Sequence, residues 1–196
     1  SYASIALANA KGYELIQVKN KHITDSIRYS KTMQNAFLPT TSEMEALGSH
    51  FTLNKPRDIV SGDFYWTLSL PEENKLYVAV ADCTGHGVPG SFMSIVGVTL
   101  LNEIVNLQDV REPAEILEEL NKGIISTLSQ HDQEQGNDDG MDVCLCLFEK
   151  LPDGSTKVTF SGAKRDLYYI NKFDKQLHTL KGTNKLIGGR HNKDYK

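Results

Sequence analysis

Along residues 1–38, apolar positions recur at near-helical steps. Ile16, Ile23, Ile27 and Phe37 stand close to multiples of a turn or a heptad, with Lys19, Lys21, Asp25 and Lys31 between them. Gly12, Asn20, Ser30 and Gln34 interrupt the stripe, and Pro39 ends it. The pattern fits an amphipathic helix lying on its own domain. It equally fits a coiled-coil linker that arrives from an upstream module and pairs with its copy. From "HFTLNKPRDIVSGDFYWTLSL" onward the aromatic and β-branched residues cluster as strands do, punctuated by Pro56 and Gly62. Residues 76–81, "LYVAVA", form a nearly continuous apolar run, the mark of a strand covered on both faces. Helical spacing follows from Phe92 to Val105. A second helix starts near Glu112, with Pro113 in its first turn and Ile116, Leu117, Leu120, Ile124, Ile125 and Leu128 on one side. After the polar loop "SQHDQEQGNDDG" come "MDVCLCLFEK", "TKVTFSGA", "DLYYINK" and "KQLHTLK", joined by the turns "LPDGS" and "NKFDK". Strands, two helices, then a meander of antiparallel strands predict a layered α+β fold and not a doubly wound one.

Composition narrows the partners. The chain has 196 residues, 39% hydrophobic and 23% charged, enough for one domain with a sizeable core or for one domain plus an appendage. A net charge of −4 without a basic cluster speaks against a nucleic-acid partner. Three cysteines in no framework spacing suit a reducing compartment, and Cys144 and Cys146 in "VCLCLF" read as a buried strand before a metal site. No apolar stretch of membrane length and no signal-peptide pattern stand out, so no membrane contact and a cytoplasmic location are expected of this chain.

The chemistry concentrates on two acids. Asp82 ends the apolar strand, where a carboxylate is costly unless it is paired, caps a helix or holds a cation. Asp63 sits in "SGDFYW", and a turn at "PEEN" lets the two segments pair as a hairpin that brings both carboxylates to one end of a sheet. Neighbouring carboxylates repel, and a hard divalent cation such as Mg²⁺ or Mn²⁺ relieves the repulsion through oxygen ligands. Gly85 and Gly87 permit close backbone approach there. The competing reading gives Asp82 or Thr84 a helix-capping role and Asp63 a place in a surface turn. A phosphate-cradling loop at "TGHGVPGS" is disfavoured because the Lys-Ser/Thr of a P-loop is missing.

The segments "SIRYSKTMQNAFLP", "KPRDIVSGDFYW", "VAVADCTGHGVPGSFMSIVG", "PAEILEELNKGI", "DDGMDVCLCLF" and "FSGAKRDLYYI", in this order, resemble the SpoIIE-type phosphatases. These are bacterial members of the metal-dependent (PPM, type 2C-like) serine/threonine protein phosphatases. The resemblance runs from about Ser26 onward. It implies a four-layer α-β-β-α sandwich of two mostly antiparallel sheets flanked by helices. It divides the chain into an N-terminal signalling or linker helix, residues 1–40, and a phosphatase domain, residues 41–196. It also implies hydrolysis of phosphoserine or phosphothreonine by water bound between two Mn²⁺ or Mg²⁺ ions.

Carried over to this sequence, the resemblance makes Asp63 and Asp82 metal ligands that act in catalysis through that water, and gives the backbone carbonyl of Cys83 to one ion. Asp142 is expected to reach the site only through water or a weakly held ion, and Asp139 to be solvated. His86 is assigned to a turn or helix start. Ala163 stands where relatives with a third metal carry an acid, and Lys164 and Arg165 could attract phosphate but, as charges beside a strand turn, are expected to be solvated. Relatives carry a "TDG"-like metal motif after the segment matching "NKLIGG", so the phosphatase domain is expected to lack its C-terminal portion and residues 1–196 alone to be inactive or nearly so. The implied partners are a phosphorylated protein substrate such as an anti-sigma-factor antagonist, an upstream sensory or regulatory module, and a second copy of the chain through the N-terminal helix. The rival reading is a non-catalytic, phosphatase-like module for dimerisation or partner binding.

Overall fold

The computed structural model of the chain describes residues 2–45, 47–130 and 138–189. Its helices are α1 (Tyr2–Phe37), α2 (Thr41–Glu45), α3 (Gly87–Asn106) and α4 (Pro113–Thr127). Its strands are β1 (Phe64–Leu70), β2 (Lys75–Cys83), β3 (Gly140–Lys150), β4 (Thr156–Ala163), β5 (Leu167–Ile170), β6 (Leu177–Leu180) and β7 (Ile187–Gly188). The strands β1-β2-β3-β4 pair in that order, all antiparallel, and β7 joins β3 at Gly140 and Met141. Strands β5 and β6 form a separate antiparallel hairpin. The α+β class is therefore the one the segments predict, and the two antiparallel sheets agree with what the resemblance implies. The "PEEN" turn is a 3₁₀ turn, Pro71–Glu73, closed by Asn74 in the left-handed region. The polar loop after α4 lies largely outside the described residues.

Alternation along each strand sends one set of side chains under α3 and α4. Phe64 and Trp66 of β1, Tyr77, Ala79 and Ala81 of β2, and Met141, Val143, Leu145 and Leu147 of β3 meet Val98, Leu101 and Ile104 of α3 and Ile116, Leu117, Leu120 and Ile124 of α4. Each large aliphatic side chain buried there contributes about 1.5–3 kcal/mol. The polar atoms carried inward keep partners: Trp66 Nε1–H donates to Asn102 Oδ1 at 2.8 Å, and the Tyr77 hydroxyl to the Arg111 carbonyl at 2.9 Å. At 20 residues α3 is long and apolar enough to cross a membrane by length and composition, and half of it is buried within this fold.

Two expectations change. Residues 50–63 form no strand, because Pro56 withholds a ladder donor and Phe51 and Leu53 face solvent, so β1 begins only at Phe64. The helix expected from Phe92 starts earlier, at Gly87, since Pro89 falls in the first turn, where an N–H has no helical partner to lose. Helix α1 is one continuous helix that touches α3 near its C-terminal end. Its one buried side chain is polar, Gln34, while Ile23 and Phe37 remain exposed.

Candidate functional site

The strand register lines up the acids. Phe64 faces Ala81 across β1–β2, so Asp63, one step earlier, stands opposite Asp82. Asp82 in turn is paired with Asp142 across β2–β3. Directly opposed residues of antiparallel strands share a sheet face. Asp63 just before β1, Asp82 on β2 and Asp142 on β3 therefore form a row, at the end of the sheet where β2 passes the chain to α3. Ala81 and Cys83 point into the helix-covered core, and Asp82 between them is half-exposed on the other face.

Asp63 is set by the loop before β1. Its N–H donates to Ser61 Oγ at 3.0 Å. Ser61 is itself held by Gln34, whose Nε2 donates to the Ser61 carbonyl at 2.5 Å and to Ser94 Oγ at 2.7 Å, while Oε1 accepts the Ser61 N–H at 3.1 Å. Partial burial raises the Asp63 pKa above the usual carboxylate value. The Asp82 carboxylate, within hydrogen-bonding reach, raises it further, and the charge of Arg165 opposes both. The two carboxylates therefore converge at the end of the hairpin.

Glycines make room for this approach. A Cβ on Gly62 would sit 2.9 Å from the Gly85 carbonyl oxygen and 3.3 Å from that of Cys83. One on Gly90 would sit 2.7 Å from the same Gly85 oxygen and 3.0 Å from Gly62 Cα. The loop before Asp63, the loop after Asp82 and the start of α3 are therefore in backbone contact, and the Cys83 carbonyl lies beside Gly62. The Cys83 thiol is buried, which pushes its pKa up and keeps it protonated.

Sequence reading missed three partners. Arg165, expected to be solvated, pairs with Asp82 and lies 3.7 Å from Asp142, so its guanidinium spans two members of the row. The pairing arises from the fold of a distant turn, and no local pattern announces it. Gln34 was visible only as a polar interruption of the α1 stripe. Asp58 carries no signal beyond preceding "IVSGD": its Oδ2 lies 2.7 Å from Nδ1 of His86. His86 does occupy the N-cap position of α3, with an extended backbone, but its side chain turns to Asp58 and does not cap. Asp139, expected to be solvated, accepts from Thr84 Oγ1 at 3.0 Å and ties the loop after β2 to β3. Ala163 is fully buried, with no room for an acid's hydration.

The row borders a cleft of about 820 Å³. Tyr65, Val78, Val80 and Phe148 lie among its lining with Asp63, Asp82 and Arg165, and Phe51 and Leu53 come from the preceding loop. Among the described residues no cluster of three or more His, Cys, Asp or Glu side chains is gathered to cage a metal. What is gathered is two carboxylates and a backbone carbonyl, a hard-oxygen set that fits Mg²⁺ or Mn²⁺ with water completing the shell, and a guanidinium already marks the place as one for positive charge.

The scaffold is thus an antiparallel α+β fold with helices laid on one face and acids gathered at the end of the other. The profile of the family described as Stage II sporulation protein E (SpoIIE) matches residues 72–196, a span that takes in Asp82, Cys83, Asp142 and Arg165 but not Asp63. The solved structure of the SiaA-PP2C domain of Pseudomonas aeruginosa is similar at 30% sequence identity with a TM-score of 0.65, over 87% of this chain and 64% of that one. No curated protein sequence matches. The chain belongs to the SpoIIE family of PP2C-like phosphatases. It spans 64% of the length of the solved relative it matches.

Proposed function

We propose that this chain is catalytic sequence of a metal-dependent protein serine/threonine phosphatase from a bacterial signalling protein. The observation that carries the reading is the convergence of Asp63 and Asp82 across the β1–β2 ladder, beside the Cys83 carbonyl. In the proposal those three groups hold Mn²⁺ or Mg²⁺, and Asp142 acts from farther out. When bound, a pair of such ions supplies a water of lowered pKa aligned with the phosphorus and offsets charge on the phosphoryl oxygens.

The chain's own residues fix that geometry. Asp82 sits at the rigid end of a fully paired strand. Asp63 is held through Ser61 and Gln34, and Gly62 and Gly90 let the three backbones close up. The substrate is proposed to be a phosphorylated protein, of which an anti-sigma-factor antagonist is the family's example. The remaining proposals are residues 41–196 as the phosphatase domain, residues 1–40 as the helix that joins it to a sensory or regulatory module and to a second copy, and a cytoplasmic location. The Gln34 contacts support this division of labour, since they connect that helix to the loop carrying Asp63.

The test is phosphate release from a phosphoserine peptide with and without Mn²⁺, by residues 1–196 and by a longer form carrying the "TDG"-like segment of relatives. Mn²⁺-dependent release is expected, with the longer form the faster. Release that ignores Mn²⁺ and chelator in both would overturn the assignment.

A further inference from the structure

Arg165 stands on a turn built to hold it. Lys164, just before it, adopts a left-handed φ of 52°. Its N–H donates to the Thr183 carbonyl at 2.8 Å, and the Thr183 N–H donates to the Gly162 carbonyl at 2.7 Å. A Cβ on either Gly162 or Gly182 would collide with the Arg165 carbonyl oxygen, so two glycines from different segments close around that peptide. On the far side, Asp166 accepts from Lys181 Nζ at 2.7 Å and from the Gly182 N–H at 3.0 Å. The backbone of Arg165 is thereby pinned on both sides, just past the end of β4, and its guanidinium reaches Asp142 on β3 and Asp82 on β2.

From this placement we infer that Arg165 is a built-in counter-cation of the carboxylate row, which a divalent ion has to displace, and that it sets how tightly the metal binds. The inference rests on the proposed metal role of Asp82. Without an ion, three acids in a row repel, and a planar guanidinium with five donors is suited to bridge two of them. An incoming ion competes for the same Asp82 oxygens. Arg165 holds the acids in register in the metal-free protein and raises the metal concentration needed to load it. Its side chain is 45% exposed, so it can swing into the cleft without unfolding anything.

Mn²⁺ binding to residues 1–196, followed by calorimetry, tests this with Arg165→Gln and Asp82→Asn beside the wild type. Removing the competing charge is expected to tighten Mn²⁺ binding about three- to tenfold in Arg165→Gln. Asp82→Asn is expected to lose most of it. Unchanged or weaker binding in Arg165→Gln, with Asp82→Asn still defective, overturns the counter-cation role and leaves the metal reading standing. Equal binding by Asp82→Asn and wild type, or no binding by any of the three, overturns the metal reading and this inference together. A second readout uses the wild type alone: the Nε–H resonance of Arg165 should shift in step with Mg²⁺ occupancy. A resonance that stays put while Mg²⁺ binds would contradict displacement.

Discussion

The two faces of the five-stranded sheet are made by the same strands and serve opposite ends. Under α3 and α4, Phe64, Trp66, Tyr77, Ala79 and Ala81 are each at most 2% exposed. One residue along, on the other face, Tyr65 and Val78 are half-buried, Val80 is 58% exposed, and Asp63 and Asp82 meet. The period of two in a strand makes this possible: a carboxylate can neighbour the core in sequence and still face away from it. Stability is concentrated on one side, so the other can tolerate acids that repel each other. A slip of one residue in the β1–β2 register would exchange the two sets, placing Asp82 beneath α3.

The contrast is broken most forcefully on the packed face. Leu145→Ala, in the middle of β3 and fully buried, should cost about 2–5 kcal/mol, read from the urea midpoint, because the cavity left under the helices cannot fully collapse. A loss below about 1 kcal/mol would mean that this face is not tightly packed.

A smaller effect on the same face is set by pH. Burial pushes the Tyr77 phenol up from its ordinary 10 to about 12. The unfolded chain therefore gives up that proton at lower pH than the fold does. Above pH about 10 the unfolded state binds fewer protons, so stability falls as pH climbs towards 12. Tyr77→Phe should lose the hydroxyl's bond to Arg111 at neutral pH yet show a flatter melting profile between those pH values. Parallel profiles for the two proteins would contradict the burial argument.

The smallest expected effect lies on the open face. Thr67 Oγ1 is buried with no hydrogen-bond partner among the described residues. Thr67→Val keeps the shape and removes an undischarged polar atom, so the melting temperature should hold or rise, by a gain of up to about 1 kcal/mol. A clear loss would reveal a partner for that hydroxyl.

Much of this division is legible in the chain. The apolar run before Asp82, the turn at "PEEN" and the two acids flanking it together predict the hairpin, because a hairpin is a local object closed by its turn, while its register emerges only in the fold. The start of α4 at Pro113 and the strand meander after Gly140 follow from equally local punctuation. What escapes is non-local. Residues 50–63 have strand-like side chains but gain no ladder partner, and propensity yields to that. Arg165 and Gln34 reach their partners across distances along the chain that no spacing rule spans. The exposed charge beside a turn and the polar break in a helical stripe look ordinary until the fold closes.

The central claim is that the acids on the open face do chemistry and contribute little to folding. The most direct measurement takes Asp82→Asn in the form of the protein that releases phosphate, and follows Mn²⁺-dependent release and the melting temperature in chelator on the same samples. Release should fall by two orders of magnitude or more, on the order of what losing a key electrostatic group costs a hydrolase. Stability should stay within about 1 kcal/mol of wild type, since the half-exposed pair with Arg165 is worth little and relief from Asp63 offsets its loss. Release that persists in Asp82→Asn, or that declines only in step with a falling melting temperature, would contradict the account.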